Sequence, residues 1–315
     1  MNHASRPALL DTTPEKIAAA AALLREGGLV AVPTETVYGL AARADRDASV
    51  AAIYRAKGRP SFNPLIVHVA DLASADALAV FDDRATALAE AFWPGALTMV
   101  LPLRDKAGIA SAVTAGLPTV ALRCPAHPVM RAVIASAGVP LAAPSANRSG
   151  GVSPTTADHV VRSLGANVDA VIDGGACEAG VESTIIALRG KGEWQLLRPG
   201  PIGETQIAAV LGRASQPVTS AGIEAPGQLA SHYAPGKPVR LEAEKAAEDE
   251  FHIGFGTVQG EVSLSVTGDM TEAASRLYAL LHQAAAAPKP RIAVAPIPDF
   301  GIGAAINDRL RRAAA

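Results

Sequence analysis

Short apolar segments alternate with helical segments over residues 14–212, and this alternation restricts the fold more than any other feature of the chain. The apolar segments lie at residues 29–32, 65–69, 97–103, 120–124, 141–143, 170–172, 184–188 and 194–197. Several are continuously apolar, which is typical of strands covered on both faces of a sheet. Helices are predicted at 14–26, from Asp47 as a capping residue to 57, across 71–92 with a break at 82–83, at 127–137 and after Thr155. The sequence therefore predicts an α/β fold, and the irregular spacing favours a twisted mixed sheet flanked by helices.

The composition changes near Gly212, which divides the chain into three parts. Residues 1–212 form the predicted main domain. Residues 213–238 have no periodicity and are punctuated by prolines, which indicates a linker. Beyond it, strands are predicted at 239–241, 252–255, 262–266 and 292–295, with a helix at 271–285. Residues 239–315 are therefore predicted to form a small C-terminal α/β, Rossmann-like domain.

Composition excludes several classes of protein. A net charge of −2 over 315 residues argues against a protein that coats nucleic acid. The two cysteines, Cys124 and Cys177, are too far apart in sequence to suggest a metal knuckle, and no metal ligands are predicted. No apolar run approaches a membrane span and no secretory segment is present, so we expect a cytoplasmic protein without a membrane partner. The usual P-loop and dinucleotide-binding signatures are missing.

A cluster of cations precedes the second predicted strand. Arg55, Lys57 and Arg59 occupy every second position at the end of a predicted helix, and both Lys57 and Arg59 are expected on a loop. Cations in a last helical turn can simply complement the helix dipole. That explanation covers Arg55 and can extend to Lys57, but it leaves out Arg59, which lies beyond a glycine and before a proline. Guanidinium and ammonium groups held on such a loop are typical of a polyphosphate site.

Polar loops adjoin the apolar strands elsewhere. They occupy residues 33–39, 143–150 with Ser153 beyond, 182–184 and 197–200. The Ser, Asn, Gly and Pro residues of each loop alone can be explained as turn and capping residues. Together, however, the loops supply hydroxyls, an amide and a guanidinium at strand ends, where open α/β sheets bind ligands. His68 is either a ligand-binding residue or a satisfied core histidine. Arg123 ends an apolar strand, so it must either reach the site or have a buried partner.

These loops occur in the order found in one family. The matching motifs are 33–39, Lys57-Gly58-Arg59-Pro60, Pro94-Gly95, Arg123-Cys124-Pro125, Pro144-Ser145-Ala146-Asn147 with Ser149-Gly150, Glu182-Ser183-Thr184 and Arg198-Pro199-Gly200. The chain resembles the threonylcarbamoyladenylate synthases, the YrdC-like family, in their long two-domain form. The resemblance is close over residues 14–212 and extends through residues 232–235 of the linker.

The resemblance implies a reaction and its partners. L-Threonine, bicarbonate or CO2, and ATP with Mg2+ would give threonylcarbamoyl-AMP and pyrophosphate. A separate tRNA threonylcarbamoyltransferase would receive the product for N6-threonylcarbamoyladenosine synthesis at position 37 of tRNA. The resemblance also implies weak contact with tRNA. Independently of the resemblance, the proline-punctuated segment 227–238 carries a His232-Tyr233 pair that no amphipathic pattern explains, and it is expected to act as a lid over the nucleotide. The alternative is a passive tether in which Tyr233 anchors the small domain.

The resemblance also implies site residues. Those on the ATP side are Lys57, Arg59, Asn63, Thr119, Ser145, Asn147, Ser153, Arg198 and Tyr233, with Lys57 and Arg59 as the catalytic pair. Those on the threonine side are Thr36, His68, Arg123 and Ser183, with Arg123 as the carboxylate clamp. One alternative is a carbamoyladenylate step of hydrogenase maturation, whose proteins carry further modules. Another is an RNA-binding or regulatory module of the same family without catalysis.

Overall fold

Two sheets organise the chain in the computed structural model, which describes residues 6–218, 222–229 and 231–315. The strands of the larger sheet are β1 Ala8–Leu10, β2 Val30–Val32, β3 Gly39–Arg43, β4 Ile66–His68, β5 Leu97–Pro102, β6 Thr119–Arg123, β7 Leu141–Ala142, β8 Ala170–Ile172, β9 Thr184–Leu188 and β10 Trp194–Arg198. Its helices are α1 Pro14–Glu26, α2 Asp47–Lys57, α3 Leu72–Asp76, α4 Asp83–Phe92, α5 Ser111–Thr114, α6 Pro128–Ala137, α7 Ala157–Leu164 and α8 Glu204–Leu211. Short 3-10 turns lie at Gly165–Asn167 and Gly190–Gly192.

The larger sheet has ten strands in the order β1-β8-β2-β3-β7-β4-β6-β5-β9-β10. Parallel and antiparallel pairs both occur in it: β4 runs parallel to β6, whereas β5 runs antiparallel to β6. The predicted twisted mixed α/β sheet is therefore confirmed. Register also brings two predicted site residues together, because His68 at the end of β4 lies opposite Arg123 at the end of β6.

The smaller sheet has four strands, all parallel, in the order β11-β14-β12-β13. These strands are β11 Val239–Arg240, β12 Glu250–Gly254, β13 Val262–Ser263 and β14 Arg291–Val294, and two helices accompany them, α9 Met270–Ala286 and α10 Ile302–Ala313. The predicted second α/β domain is confirmed, and its sheet is entirely parallel. Every helix among the described residues is too short or too polar to cross a membrane.

The small domain shares its apolar core with the main domain. Its buried side chains, such as Leu277 and Ile306, belong to the same cluster as Val37, Val152 and Val181 of the main domain. Burial of apolar surface stabilises a structure in rough proportion to the area removed from water. The two sheets are therefore held together by a continuous core.

Several elements differ from the prediction. Strand β3, rich in alanine and following a polar loop directly, was not predicted, because alanine has low strand propensity. Helix α10 was also not predicted, because polar Asn307 and Arg309 occupy its buried face and weaken the apolar pattern. The prediction that Asp47 caps α2 is wrong: Arg46 occupies the cap, and Asp47 lies in the first turn, where a carboxylate favours the helix dipole.

Candidate active site

Eight of the predicted site residues line one narrow cavity of about 40 Å³. They are Thr36, Arg59, His68, Arg123, Ser145, Ser183, Arg198 and Tyr233. Strand residue Ile66, together with Glu182 and His232, completes part of its wall. The fold thus brings loops that are far apart in sequence to a single cleft.

Arg123 is fixed by three protein groups at one end of this cleft. Its Nη1 donates to the Thr36 hydroxyl at 2.9 Å and its Nη2 donates to Glu35 Oε1 at 2.6 Å. Its Nε donates to the Gly95 carbonyl at 3.2 Å. Burial alone would raise the pKa of Glu35, but the Arg123 charge and its hydrogen bonds hold that pKa below its ordinary value. Arg123 therefore both reaches the site and has a buried partner.

His68 is a buried neutral imidazole beside Arg123. Burial, together with the Arg123 charge, lowers the pKa of His68 to about 3. Its Nδ1 is buried and has no hydrogen-bond partner. Because an unpaired buried polar atom is costly, this ring is not the satisfied core histidine that composition alone allowed.

Three buried cations in and beside the cleft contact only uncharged oxygen atoms. Lys57 Nζ donates to the carbonyl oxygens of Ser145 at 2.5 Å and Asn147 at 2.6 Å. Arg59 donates to Asn63 Oδ1 at 2.7 Å and to the Pro64 carbonyl at 2.8 Å.

The third of these cations, Arg198, donates twice to the Ser183 carbonyl, at 3.1 and 3.0 Å. Burial lowers the pKa of Lys57 and of Arg198, and lowers that of Arg59 to about 10. None of the three lies within 4 Å of a carboxylate among the described residues. Since burying an unpaired charge is expensive, this arrangement favours an anionic ligand.

Lys57 is the last residue of α2, in agreement with the predicted helix end at residue 57. The expectation that it lies on a loop is wrong, and the residue is only 3% exposed. Its contacts join the end of α2 to the loop after β7, so it shapes the wall behind the cavity. Arg59 does lie beyond α2 as expected, and Arg55 is exposed.

Two predicted amides stand behind the cavity. The Asn147 amide nitrogen donates to the carbonyls of Arg148 and Gly151, both at 2.8 Å. The Oδ1 atom of Asn147 and the Nδ2 atom of Asn63 are buried without a partner. Thr119 also lies away from the cavity, at the opposite end of β6 from Arg123.

Ser183 and Glu182 connect this set to the rest of the molecule. The Ser183 hydroxyl lies 2.8 Å from that of Thr98 and accepts from Arg198 Nη2 at 3.2 Å. Gly200 packs so closely that a β-carbon there would approach the Thr184 nitrogen to 2.4 Å, which explains the glycine after Arg198-Pro199. Predicted residue Ser153 is fully buried and donates to Glu182 Oε1 at 2.5 Å.

The linker covers the cleft. Tyr233 is 1% exposed, and its ring lies 4.1 Å from that of His232. Gly227 has a φ of +88°, and a β-carbon there would approach Arg198 Cδ to 2.8 Å and the Tyr233 hydroxyl to 3.1 Å. The segment 227–238 is thus packed directly on a predicted site residue. Ala230, within this segment, lies outside the described residues.

Four residues of the site were not identified from the sequence: Glu35, Glu182, Tyr278 and Arg309. Glu35 and Glu182 each lie within one of the motifs named above, so the sequence did indicate that these carboxylates are near the site. Tyr278 and Arg309 belong to the small domain, and no local pattern connects them with the cleft.

The arrangement supports catalysis by positioning and charge neutralisation. Burial raises the pKa of Cys124, and it raises that of Cys177 to about 12, so neither thiol is an activated nucleophile. No group of three or more histidine, cysteine or acidic side chains among the described residues could hold a metal ion. Fixed cations and hydroxyls in a closed cleft are suited to stabilising charge on a polyanionic substrate.

Comparisons with known proteins identify the family. The profile of the Sua5–YciO–YrdC family, described as Telomere recombination, matches residues 22–200. A second profile, described as Threonylcarbamoyl-AMP synthase, C-terminal domain, matches residues 202–315. The threonylcarbamoyl-AMP synthase of Bacillus subtilis is 39% identical, over 97% of this chain and 94% of its own length. The enzyme of that name from Pyrococcus abyssi is 38% identical, over 95% of this chain and 94% of its own length.

A solved structure agrees over the full length. The crystal structure of P. abyssi Sua5 complexed with L-threonine has a TM-score of 0.88 and 35% identity, covering 98% of both chains. Sequence and structure thus match through both sheets and the segment between them. The chain is an enzyme of tRNA threonylcarbamoyladenosine synthesis and belongs to the threonylcarbamoyl-AMP synthase family, in its two-domain form.

Proposed function

We propose that the cleft binds L-threonine at the Arg123 end and ATP at the end formed by Arg59 and Arg198. Arg123 would clamp the threonine carboxylate, since a fixed guanidinium is matched to that group. Thr36, His68 and Ser183 lie around it and offer polar partners for the threonine amine and hydroxyl. The L-threonine complex of the P. abyssi protein supports this assignment by similarity.

The ATP side rests on one observation: three buried cations that contact only neutral oxygens. A triphosphate supplies the missing negative charge. Lys57, Arg59 and Arg198 would neutralise it, while Asn63, Ser145, Asn147, Ser153, Thr119 and Tyr233 would shape the surrounding pocket. Burial in a region of low dielectric strengthens each of these interactions.

Mg2+ fits this proposal as part of the nucleotide substrate. The carboxylates beside the cleft, Glu35 and Glu182, are already engaged by Arg123 and Arg309. A magnesium ion prefers carboxylates, water and phosphate oxygens. We therefore assign Mg2+ to the ATP phosphates and water.

The proposed positions suit the chemistry that the family implies. The threonine amine adds to CO2 and releases a proton, which gives a carbamate. A carbamate oxygen then attacks the α-phosphorus of ATP and displaces pyrophosphate. A carbamate is already an anionic nucleophile, so the protein needs only to align it, neutralise charge and exclude water. A cleft with fixed cations under a packed linker provides these three functions.

The substitution Arg59→Ala tests this assignment. It removes a cation that is paired only with neutral oxygens, so we expect synthesis of threonylcarbamoyl-AMP to fall at least a hundredfold, an order-of-magnitude estimate from the loss of an electrostatic group in a closed site. Threonine- and bicarbonate-dependent exchange of pyrophosphate into ATP measures it. Arg55→Ala, on the exposed face of α2, is the matched control and should retain full activity. Near-normal exchange by folded Arg59→Ala would refute the nucleotide site.

The same assay separates catalysis from the alternative of an RNA-binding module. We also propose that the product passes to a separate tRNA threonylcarbamoyltransferase, because a mixed anhydride with AMP needs an acceptor enzyme. Direct tRNA contact and a cytoplasmic location stay predictions from the sequence.

A further inference from the structure

A carboxylate of the cleft is held by groups from the small domain. Glu182 lines the cavity, and its Oε2 accepts from Tyr278 Oη at 2.8 Å and from Arg309 Nε at 2.9 Å. Its Oε1 accepts from the Ser153 hydroxyl. Arg309 and Ser153 are fully buried. Helices α9 and α10 therefore fix a residue of the cleft by direct hydrogen bonds.

Apolar contacts reinforce this attachment at three loops of the main domain. Val37, Val152 and Val181 each pack into the core of the small domain. Each is the immediate sequence neighbour of a polar residue of the site: Thr36, Ser153 and Glu182 respectively. The small domain thus anchors the backbone beside all three polar groups.

The lid is attached to the same helices. The Tyr233 ring lies 5.6 Å from the Tyr278 ring and 5.5 Å from Arg309 Cζ, measured between centroids for the rings. The His232 backbone N–H donates to the Arg312 carbonyl at 3.1 Å, and the Ser231 hydroxyl donates to the Ala315 carbonyl at 3.0 Å. The end of α10 therefore sets where the lid lies over the cleft.

Stability alone is a poor explanation for this network. Taking Glu182 and Arg309 out of water costs much of what their attraction returns, so a buried ion pair contributes little net stability. Burial alone would raise the pKa of Glu182, but the charges of Arg309 and Arg198 and the hydrogen bonds lower it to about 2. The carboxylate is therefore ionised and held in one orientation between the two domains.

We propose that Tyr278 and Arg309 are positioning residues for the nucleotide side of the active site. They hold Glu182, and through it Ser153, while their contacts with the Tyr233 ring hold the lid. The small domain is thereby part of the active site rather than an independent module. This inference rests on the proposed function, since its readout is ATP use.

The test uses the full-length protein with Tyr278→Phe, Arg309→Met, Glu182→Gln and the double variant Tyr278→Phe/Glu182→Gln. Tyr278→Phe deletes one hydrogen bond to a charged group and leaves the ring in place. We expect it to raise KM for ATP about tenfold, with a smaller change in KM for threonine. Because Tyr278 acts through Glu182, the KM for ATP of the double variant should not exceed that of Glu182→Gln alone.

Controls separate this role from simple stabilisation. Arg311→Met, on the exposed side of α10, should leave both KM values unchanged. The inference would be overturned if Tyr278→Phe lowered the unfolding midpoint but left KM for ATP unchanged. It would also be overturned if the increases in KM for ATP of the two single variants multiplied in the double variant. If Arg309→Met does not fold, Tyr278→Phe and the double variant still test the positioning role. Arg59→Ala in the same assay distinguishes the outcomes: if it stays active, the nucleotide site itself is wrong.

Discussion

Unpaired polar atoms mark the cleft at the scale of single residues. Six buried side-chain polar atoms among the described residues have no hydrogen-bond partner, and all but Ser263 Oγ belong to the cleft or its surroundings. The five are Asn63 Nδ2, His68 Nδ1, Asn147 Oδ1, His232 Nδ1 and Arg309 Nη2. Buried polar groups are almost always paired in folded proteins. Their concentration here is typical of a site whose partners come from a polar ligand.

His68 gives a pH prediction with a defined sign. Its pKa is about 3 in the folded chain, against 6.5 as the ordinary value. Between these values the unfolded chain binds a proton that the folded chain refuses, so stability falls as pH drops through that window. In His68→Gln this component is lost, and the free energy of unfolding should fall less between pH 7.5 and 5.5, by about 1 kcal/mol. Urea unfolding at both pH values measures this, and equal losses in the two proteins would contradict it.

Specificity for the threonine hydroxyl is also decided by single residues. Thr36, His68 and Ser183 are the candidate partners for that hydroxyl in a closed cleft. With 2-aminobutyrate, which lacks it, one buried polar group stays unpaired, so we expect binding at least tenfold weaker. Competition against labelled threonine measures the ratio. Equal competition by the two amino acids would show that no buried group reads the hydroxyl.

At the scale of elements, the lid depends on a close approach at Gly227. A β-carbon there meets Arg198 and Tyr233, so Gly227→Ala should hold the lid away from the cleft and raise KM for ATP several-fold. Chymotrypsin should also cut at Tyr233 faster in Gly227→Ala than in the unchanged protein. ATP with threonine should slow this cleavage less in the variant. Gly236→Ala is the matched control, because Gly236 has a similar φ of +79° and no atom within 4 Å of an added β-carbon. The same cleavage pattern in both variants would favour a passive tether.

Elements could be predicted where local patterns dominate, and the site could be predicted only in part. Continuously apolar segments such as β8 and β9 have the predicted bounds, because the apolar residues of each segment are enough to indicate a buried strand. Helix α10 and the attachment of Glu182 were missed for the opposite reason. Arg309 is buried where it pairs with its neighbour Asp308 and with Glu182 of the main domain, which is 127 residues away in sequence.

At the scale of the whole molecule, domain docking depends on Gly180. Its φ is +69°, and a β-carbon would approach the Ala274 carbonyl oxygen to 2.4 Å, so the main domain lies flush against the backbone of α9. Gly180→Ala should lower the free energy of unfolding by about 1–3 kcal/mol more than Gly175→Ala, whose φ is +84° with nothing in contact range. Urea unfolding measures both. Equal decreases in the free energy of unfolding for the two variants would mean that Gly180 does not approach α9 closely.

The small size of the cavity has a consequence for inhibitor discovery. About 40 Å³ is far below the few hundred cubic ångströms that a drug-sized ligand fills. Screening against this conformation would select only fragments and would reject the enzyme's own substrates. Compounds that wedge between Arg198 and Gly227 should instead trap an opened form, and their affinity would include the work of displacing Tyr233.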